Sequence, residues 1–348
     1  MTAPLFKVMS FGMAFAVMLG VSACEKQALA PSSRSEIAFA VQPVEKSQDL
    51  DKLWAPVMAD MQRQTGLKVK PYYTSSYTDL IDAIRFNHVQ VALLSSAPGL
   101  EAMDRGQGEV FAHTTNPDGS DGYTSVIVVR KESKLTVKDL LKCDRKLNLG
   151  MGDVRSTSGT LVPKADLFLP NKVDVGKCFK NLKFAKRDSN IDDIFAGVLD
   201  AATTNSDALS ELNDTPEGRD KLARLKIIWQ SDPLPKGVIE YRADLDPATK
   251  EKIRSFFLSY GTGTGPDAER QRANLRAFRL GTLKPSDASY LLPERLLEAS
   301  IALQEANLSG DKAAIERAQI VIRDVKAEQE AVDAQTAPEA PADGPASQ

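Results

Sequence analysis

Histidine and cysteine are scarce in this chain, and their scarcity argues against several kinds of chemistry. Its 348 residues include two histidines, His88 and His113, and three cysteines. Neither histidine has a second histidine, cysteine or carboxylate at metal-ligand spacing, so we expect no zinc or iron site and no other cofactor. Two histidines do not by themselves exclude a catalytic triad, but no G-x-S-x-G elbow accompanies them. Hydrolytic or metal-dependent catalysis is therefore disfavoured.

The chain also lacks an excess of positive charge. Its 44 Lys and Arg residues against 47 Asp and Glu residues give a net charge of −3. This balance leaves no basic face of the kind that nucleic-acid binding requires. Apolar residues make up 42% of the chain, which is typical of globular proteins, and the length suffices for two ordinary domains.

Long hydrophobic runs are missing except near the N-terminus. Lys7 opens a short positive region, and the apolar stretch VMSFGMAFAVMLGV that follows is short for a membrane span. It ends in VSAC, residues 21–24, which resembles the lipobox of bacterial lipoproteins. The resemblance implies a signal peptide over 1–23, lipidation of Cys24 and anchoring to a membrane without spanning it. The alternative is an ordinary signal peptide, and in both cases the mature chain is exported.

The other two cysteines each precede a predicted strand. Cys143 comes before KLNLGMG and Cys178 before LKFAKR. If these strands are parallel neighbours, both cysteines lie at the same edge of the sheet, and an oxidising compartment permits a disulfide there. We predict a Cys143–Cys178 bridge, with two buried free thiols as the alternative.

Strands and helices alternate along the chain in two series. After a polar tether over 24–34, the strand EIAFAVQP leads into βα units that continue to the strand VQVALLS. A second series follows the long strand YTSVIVVRKES. The remainder is helical, with a last helix over about 311–333 and a Pro/Ala-rich tail, 335–348, that is expected to be disordered. The first helix carries an apolar stripe of Leu50, Leu53, Trp54, Val57, Met58 and Met61.

Two series of βα units predict an α/β fold of two lobes joined by two crossing segments, near 123–131 and 226–242. The first lobe would comprise 35–128 plus 236–334, and the second lobe 129–235. Strand carboxyl ends and helix N-termini face the cleft between such lobes, where open α/β sheets bind ligands.

A row of three hydroxyls is expected in that cleft. The stretch GDVRSTSGTLVP, residues 152–163, places Ser156, Thr157 and Ser158 between a predicted strand and a predicted helix. A helix N-terminus offers unpaired N–H groups and the positive end of the helix dipole, and hydroxyls add further donors. A plain N-cap requires only one such residue. We therefore predict a site for a tetrahedral oxyanion, with a plain N-cap as the alternative.

These residues resemble the Ser-Thr-Ser-Gly signature of the phosphonate ABC-transporter substrate-binding proteins. The resemblance extends through YTDLIDAIRFNHVQVAL, LKIIWQSDPLPKG and IRSFFLSYG, and covers about residues 36–300. It implies a class II periplasmic-binding (Venus-flytrap) fold that captures a phosphonate, phosphite or related oxyanion and delivers it to an ABC permease with its ATPase. It further implies a periplasmic, non-enzymatic protein, which we expect to be a monomer.

The resemblance also implies a set of ligand-binding residues. Ser156, Thr157 and Ser158 match the family's phosphonate-binding hydroxyls, and Tyr77 matches a tyrosine that donates to the same group. Asp207 stands where the family has an acidic residue near the far end of the ligand. The alternatives are a packing role for Tyr77 and an N-cap role for Asp207.

Three positions depart from the family pattern. Leu94, followed by Ser95, stands where members that bind aminoalkylphosphonates carry an aromatic residue. Arg187 replaces a histidine, and Gly237 replaces an aspartate that reads the ligand's amine. Arg187 can donate two hydrogen bonds to an oxyanion, or it can pair with Asp188 on the surface. Together the departures favour an anion that lacks an ammonium group, with Ser95 and Arg187 among its ligands.

Two other classes of function stay open at this stage. The same fold can present its ligand state to a sensor kinase or receptor, and an adjacent permease gene would distinguish transport from sensing. A phosphoester hydrolase built on the cleft is disfavoured, because no nucleophile–base pair is visible in the sequence.

Overall fold

The computed structural model describes residues 35–42, 47–105 and 107–336. The signal peptide, the lipidated Cys24 and the tether predicted over 1–34 lie outside these residues, as does the tail from 337 onward. Among the described residues, no helix is both long enough and apolar enough to cross a membrane.

Eleven strands are formed by the described residues, and they divide into two sheets. In chain order they are β1 (Glu36–Val41), β2 (Lys68–Tyr72), β3 (Val91–Leu94), β4 (Gly108–His113), β5 (Ser125–Arg130), β6 (Asn148–Met151), β7 (Asn181–Phe184), β8 (Ala201–Asn205), β9 (Leu225–Gln230), β10 (Val238–Arg242) and β11 (Lys284–Pro285).

Helices cover both sheets and make up the C-terminal part. They are α1 (Ser47–Thr65), α2 (Tyr77–Arg85), α3 (Ser96–Asp104), α4 (Val137–Leu140), α5 (Val175–Cys178), α6 (Arg187–Phe195), α7 (Ser206–Glu211), α8 (Pro216–Ala223), α9 (Pro247–Ser259), α10 (Pro266–Arg276), α11 (Leu292–Ser309) and α12 (Lys312–Thr336). Two π-helical turns, Thr157–Leu161 and Lys164–Phe168, follow β6, and shorter 3-10 turns span Leu169–Asn171, Leu212–Asp214 and Ala288–Leu291.

The sheet of the first lobe has the order β11-β4-β10-β3-β1-β2. Its parallel part, β2-β1-β3, comes from the first βα units, and β10 returns antiparallel between β3 and β4. Trp54 and Met61, from the apolar stripe predicted for the first helix, are buried in the core that α1 forms with α9. Burial of this stripe fixes α1 on one face of the sheet, while α2 and α3 cover the other.

The sheet of the second lobe has the order β7-β6-β8-β5-β9. The strands β6 and β7 are parallel neighbours, as the cysteine argument required. Cys143 and Cys178, which precede them, are joined as a disulfide in the structure. The boundary predicted at residue 128 falls inside β5, whose strand pairs belong to the second sheet. The first crossing therefore comes before Ser125.

The two crossing segments are bonded to each other. Tyr123 N–H donates to the Leu234 carbonyl at 3.2 Å, and Leu234 N–H donates back to the Tyr123 carbonyl at 2.7 Å. Beyond them, α11 packs against α3 of the first lobe and also contacts the second lobe. That second contact is apolar, with Ile301 against Ala165 and Leu169. The lobes are thus linked at the hinge and through the C-terminal helices.

Candidate functional site

A cavity of about 450 Å³ lies between the two lobes. The first lobe contributes the end of β3 and the N-terminal ends of α2 and α3 to its wall. The second lobe contributes the turn after β6 and the junction of β8 with α7. This is the cleft in which the sequence placed the binding site.

The turn after β6 is shaped by two glycines in contact. Gly152 N–H donates to the Gly159 carbonyl at 3.0 Å, and a Cβ added to Gly159 would lie 2.9 Å from the Gly152 Cα. Side chains at either position would therefore push the turn open. The turn brings Ser156 to the cavity, where its hydroxyl accepts from Gly159 N–H at 3.1 Å and caps the first π-helical turn.

Ser158 is also at the cavity wall and is held by its neighbours. Its hydroxyl accepts from Asn205 Nδ2 at 3.2 Å and hydrogen-bonds with Tyr123. Burial raises the pKa of the Tyr123 phenol well above its ordinary value, so this phenol stays neutral and keeps its proton. Ser156 and Ser158 together present two fixed hydroxyls to the cavity.

Thr157, another predicted ligand residue, contacts the first lobe through its hydroxyl. Its hydroxyl accepts from Ala97 N–H at 3.0 Å and lies 3.2 Å from the Ser96 hydroxyl, both in α3 of the first lobe. The side chain is buried and is absent from the cavity lining. Successive residues of a helical turn point in different directions, so Ser156 and Ser158 line the cavity while Thr157 between them contacts α3. The hydroxyl of Thr157 joins the two lobes.

Behind this contact lies a buried carboxyl group that the sequence analysis did not identify. Ser96 Oγ donates to Glu294 Oε2 at 2.6 Å, and the Glu294 side chain is 3% exposed. Burial raises the pKa of Glu294 to about 8, with repulsion from Glu298 adding to the effect. At neutral pH the folded protein therefore holds this carboxyl in its neutral form.

The first lobe contributes the other predicted hydroxyls. Tyr77, the first residue of α2, lines the cavity, and its N–H lies 3.5 Å from Asp153 Oδ2 across the cleft. Ser95 precedes α3, and its buried hydroxyl has no hydrogen-bond partner among the described residues. Thr204 Oγ1, on the opposite wall, is likewise buried without a partner in that part of the chain. Buried hydroxyls left without partners are costly, so they favour a polar ligand in this space.

An ion pair occupies another part of the wall. Lys236 Nζ donates to Asp207 Oδ2 at 2.6 Å and lies 5.6 Å from the centre of the Tyr123 ring. Asp207 was predicted from the sequence and Lys236 was not, although this lysine lies in the stretch LKIIWQSDPLPKG, which resembles the family. Next to it, a Cβ on Gly237 would come within 2.7 Å of the Leu94 carbonyl, so any side chain there would displace the backbone.

Arg187, another predicted ligand residue, is the first residue of α6. Its side chain lies outside the part of the chain that the structure describes. The preceding residue, Lys186, lines the cavity. Of the seven predicted ligand residues, the cavity wall thus contains Tyr77, Ser95, Ser156, Ser158 and Asp207.

The arrangement is suited to a small tetrahedral anion. Hydroxyls from both lobes and the start of two helical segments line one cavity, where neutral and cationic donors would face an anion from several sides. The residues that the structure describes contain no group of three or more His, Cys, Asp or Glu side chains placed to hold a metal ion.

Comparison with known proteins gives a consistent picture. The family described as "ABC transporter, phosphonate, periplasmic substrate-binding protein" matches residues 39–291. The phosphonates-binding periplasmic protein of Escherichia coli is 35% identical over 269 residues, which cover 77% of this chain and 78% of that protein. A binding protein component of an ABC phosphonate transporter from Pseudomonas aeruginosa is similar in structure, with a TM-score of 0.76 and 30% identity, over 87% of this chain and 98% of that chain. A Prochlorococcus marinus protein in complex with methylphosphonate has the same fold, with a TM-score of 0.66 and 17% identity, over 76% of this chain and 97% of that one.

Proposed function

Because the chain belongs to the family of periplasmic substrate-binding proteins of phosphonate ABC transporters, we propose that it captures a phosphonate-like phosphorus oxyanion and delivers it to a membrane permease. The observation that carries this proposal is the convergence of Ser156 and Ser158 from one lobe with Tyr77 and Ser95 from the other. Three non-ester oxygens of a phosphonate would accept hydrogen bonds from these groups. The relatives named above are binding proteins, which supports a role without chemistry on the ligand.

Closure of the lobes is the proposed signal to the permease. The contacts that would form on closure include Thr157 with Ala97 and the ion pair between Arg155 Nε and Glu101 Oε2 at 3.2 Å. Ligand held between the hydroxyls of both lobes would favour the closed arrangement, because it binds that state better than the open one. The paired crossing segments near Tyr123 are the natural axis of this motion.

The location that we propose is the periplasmic face of a membrane. Lipidation of Cys24 would tether the folded part through the polar segment 24–34. The protein would act as a monomer that binds one ligand molecule. The resemblance of residues 21–24 to a lipobox supports the anchor.

A thermal-shift screen tests the proposed function. The full-length gene product would be expressed and processed in a bacterial host, purified in mild detergent, and melted with methylphosphonate, ethylphosphonate, phosphite, phosphate and sulfate. A ligand present at 100 times its dissociation constant stabilises the fold by about 2.7 kcal/mol, which is visible in a melting curve. Absence of any shift with every phosphorus oxyanion would refute the proposal.

A further inference from the structure

We propose that Lys236 is a specificity-determining residue. Its ammonium group forms an ion pair with the carboxylate of Asp207, and the site therefore rejects ligands that carry an ammonium group of their own. This inference rests on the proposed function, since it concerns the same cavity. It deepens that function by naming the ligand class as phosphorus oxyanions with an uncharged substituent.

The ion pair is built into the cavity wall. The Lys236 side chain is 4% exposed and that of Asp207 is 35% exposed, with 2.6 Å between Nζ and Oδ2. The lysine backbone is fixed as well, because Lys236 N–H donates to the Tyr290 hydroxyl at 3.0 Å. A side chain held at both ends has little freedom to withdraw when a ligand enters.

Tyr123 connects this ion pair with the hydroxyls that face the anion. Its hydroxyl hydrogen-bonds with Ser158, and its ring faces Lys236 Nζ at 5.6 Å. Ser158, Tyr123 and Lys236 therefore lie side by side in the same cavity wall. The substituent of a short phosphonate would extend toward the ion pair.

Charge balance then decides which substituent is accepted. Asp207 alone would attract an ammonium group on the ligand, but Lys236 has already neutralised it. A ligand ammonium in this space would add an uncompensated positive charge near the nearly buried Nζ, and like charges repel. An alkyl substituent brings no such charge. We expect wild-type protein to bind propylphosphonate about tenfold or more tightly than 2-aminoethylphosphonate, which has the same number of heavy atoms.

The test measures dissociation constants of these two ligands by calorimetry, with the full-length protein in detergent. Lys236→Ala should free the Asp207 carboxylate and leave space for a ligand ammonium, so the preference for propylphosphonate should fall by about tenfold or reverse. Lys250→Ala is the matched control, because Lys250 Nζ also pairs with a carboxylate, Glu109 at 2.5 Å, and also faces a ring, Tyr241 at 5.2 Å, outside the cavity. Its ligand preference should equal that of wild type.

A second variant guards against loss of folding. Asp207→Asn keeps the ammonium of Lys236 and removes its partner, so the preference for propylphosphonate should increase. A folded Lys236→Ala protein with an unchanged preference would overturn the inference, as would a wild-type protein that binds 2-aminoethylphosphonate equally well or better. If Lys236→Ala has no cooperative melting transition, an unchanged preference in Asp207→Asn would overturn it. Wild-type protein that binds neither phosphonate would overturn the inference if another phosphorus oxyanion still shifts its melting curve, and would refute the proposed function if none does.

Discussion

Replacing Glu294 by glutamine should make the protein more stable at neutral pH. The buried carboxyl has an ordinary pKa of 4.5 and a pKa of about 8 in the folded protein, so the folded state holds a proton that the unfolded chain releases between these two values. Across that window the contribution of Glu294 to stability is lost as the pH rises, because the unfolded state binds fewer protons. Glutamine keeps the shape and the acceptor for Ser96 without this dependence.

The size of the effect follows from linkage. One pKa unit corresponds to about 1.4 kcal/mol, so the free energy of unfolding of Glu294→Gln minus that of wild type should grow by on the order of 2 to 3 kcal/mol from pH 5 to pH 7. Glu298 on α11, which acts on this carboxyl, and the groups that act on Glu298 in turn, namely Glu101, Asp104, Arg155 and Arg295, are present in both proteins. Their contributions largely cancel in the difference.

Urea unfolding at pH 5, 6 and 7, followed by circular dichroism, measures this difference. Glu316→Gln, at an exposed position on α12, is the control, and its free energy of unfolding should be nearly equal to that of wild type at each pH. A Glu294→Gln difference that stays constant across the three pH values would refute the argument, since it would mean that the carboxyl is hydrated or ionised in the folded protein.

Three further predictions follow from other parts of the chain. Cys24→Ala should release the protein from membranes or leave it unprocessed, as measured by membrane fractionation and N-terminal sequencing. Wild-type protein that is soluble and begins at another residue would contradict lipidation at Cys24. Removing the Cys143–Cys178 bridge by a double serine substitution should cost about 2–4 kcal/mol in urea unfolding, and alkylation of two free thiols in denatured, air-purified wild type would contradict the bridge. Ser158→Ala should weaken phosphonate binding by about 1–3 kcal/mol in calorimetry, because Tyr123 and Asn205 lose a shared partner in the wall, and unchanged affinity would contradict a role in binding.

Much of the architecture was predictable because the βα pattern is periodic. The apolar stripe ending at Met61 predicted α1, and the two series of units predicted two sheets. Two elements of the first lobe were missed, α3 and β4. The stretch SAPGLEAMD has a proline and a glycine in its first turn and a weak periodicity, so its helical state depends on packing of Leu100 against the sheet rather than on local preference.

The candidate site was predictable only where chemistry is local in sequence. The hydroxyl row was visible as a motif, whereas the direction of each hydroxyl was not, and Thr157 turned to the other lobe for that reason. Lys236 and Glu294 are distant in sequence from the groups that they contact, Asp207 and Ser96. Such pairs are created by the topology, and a single sequence gives no sign of them.

The apolar contact between α11 and the second lobe has a consequence for affinity. Ile301 packs against Ala165 and Leu169, none of which lines the cavity, and this contact stabilises the observed arrangement of the lobes without help from a ligand. If the lobes open and close as proposed, this contact raises the closed fraction of the empty protein, and apparent affinity scales with that fraction. Substitutions at these three positions would therefore change the apparent affinity for a ligand while every residue of the cavity wall stays the same.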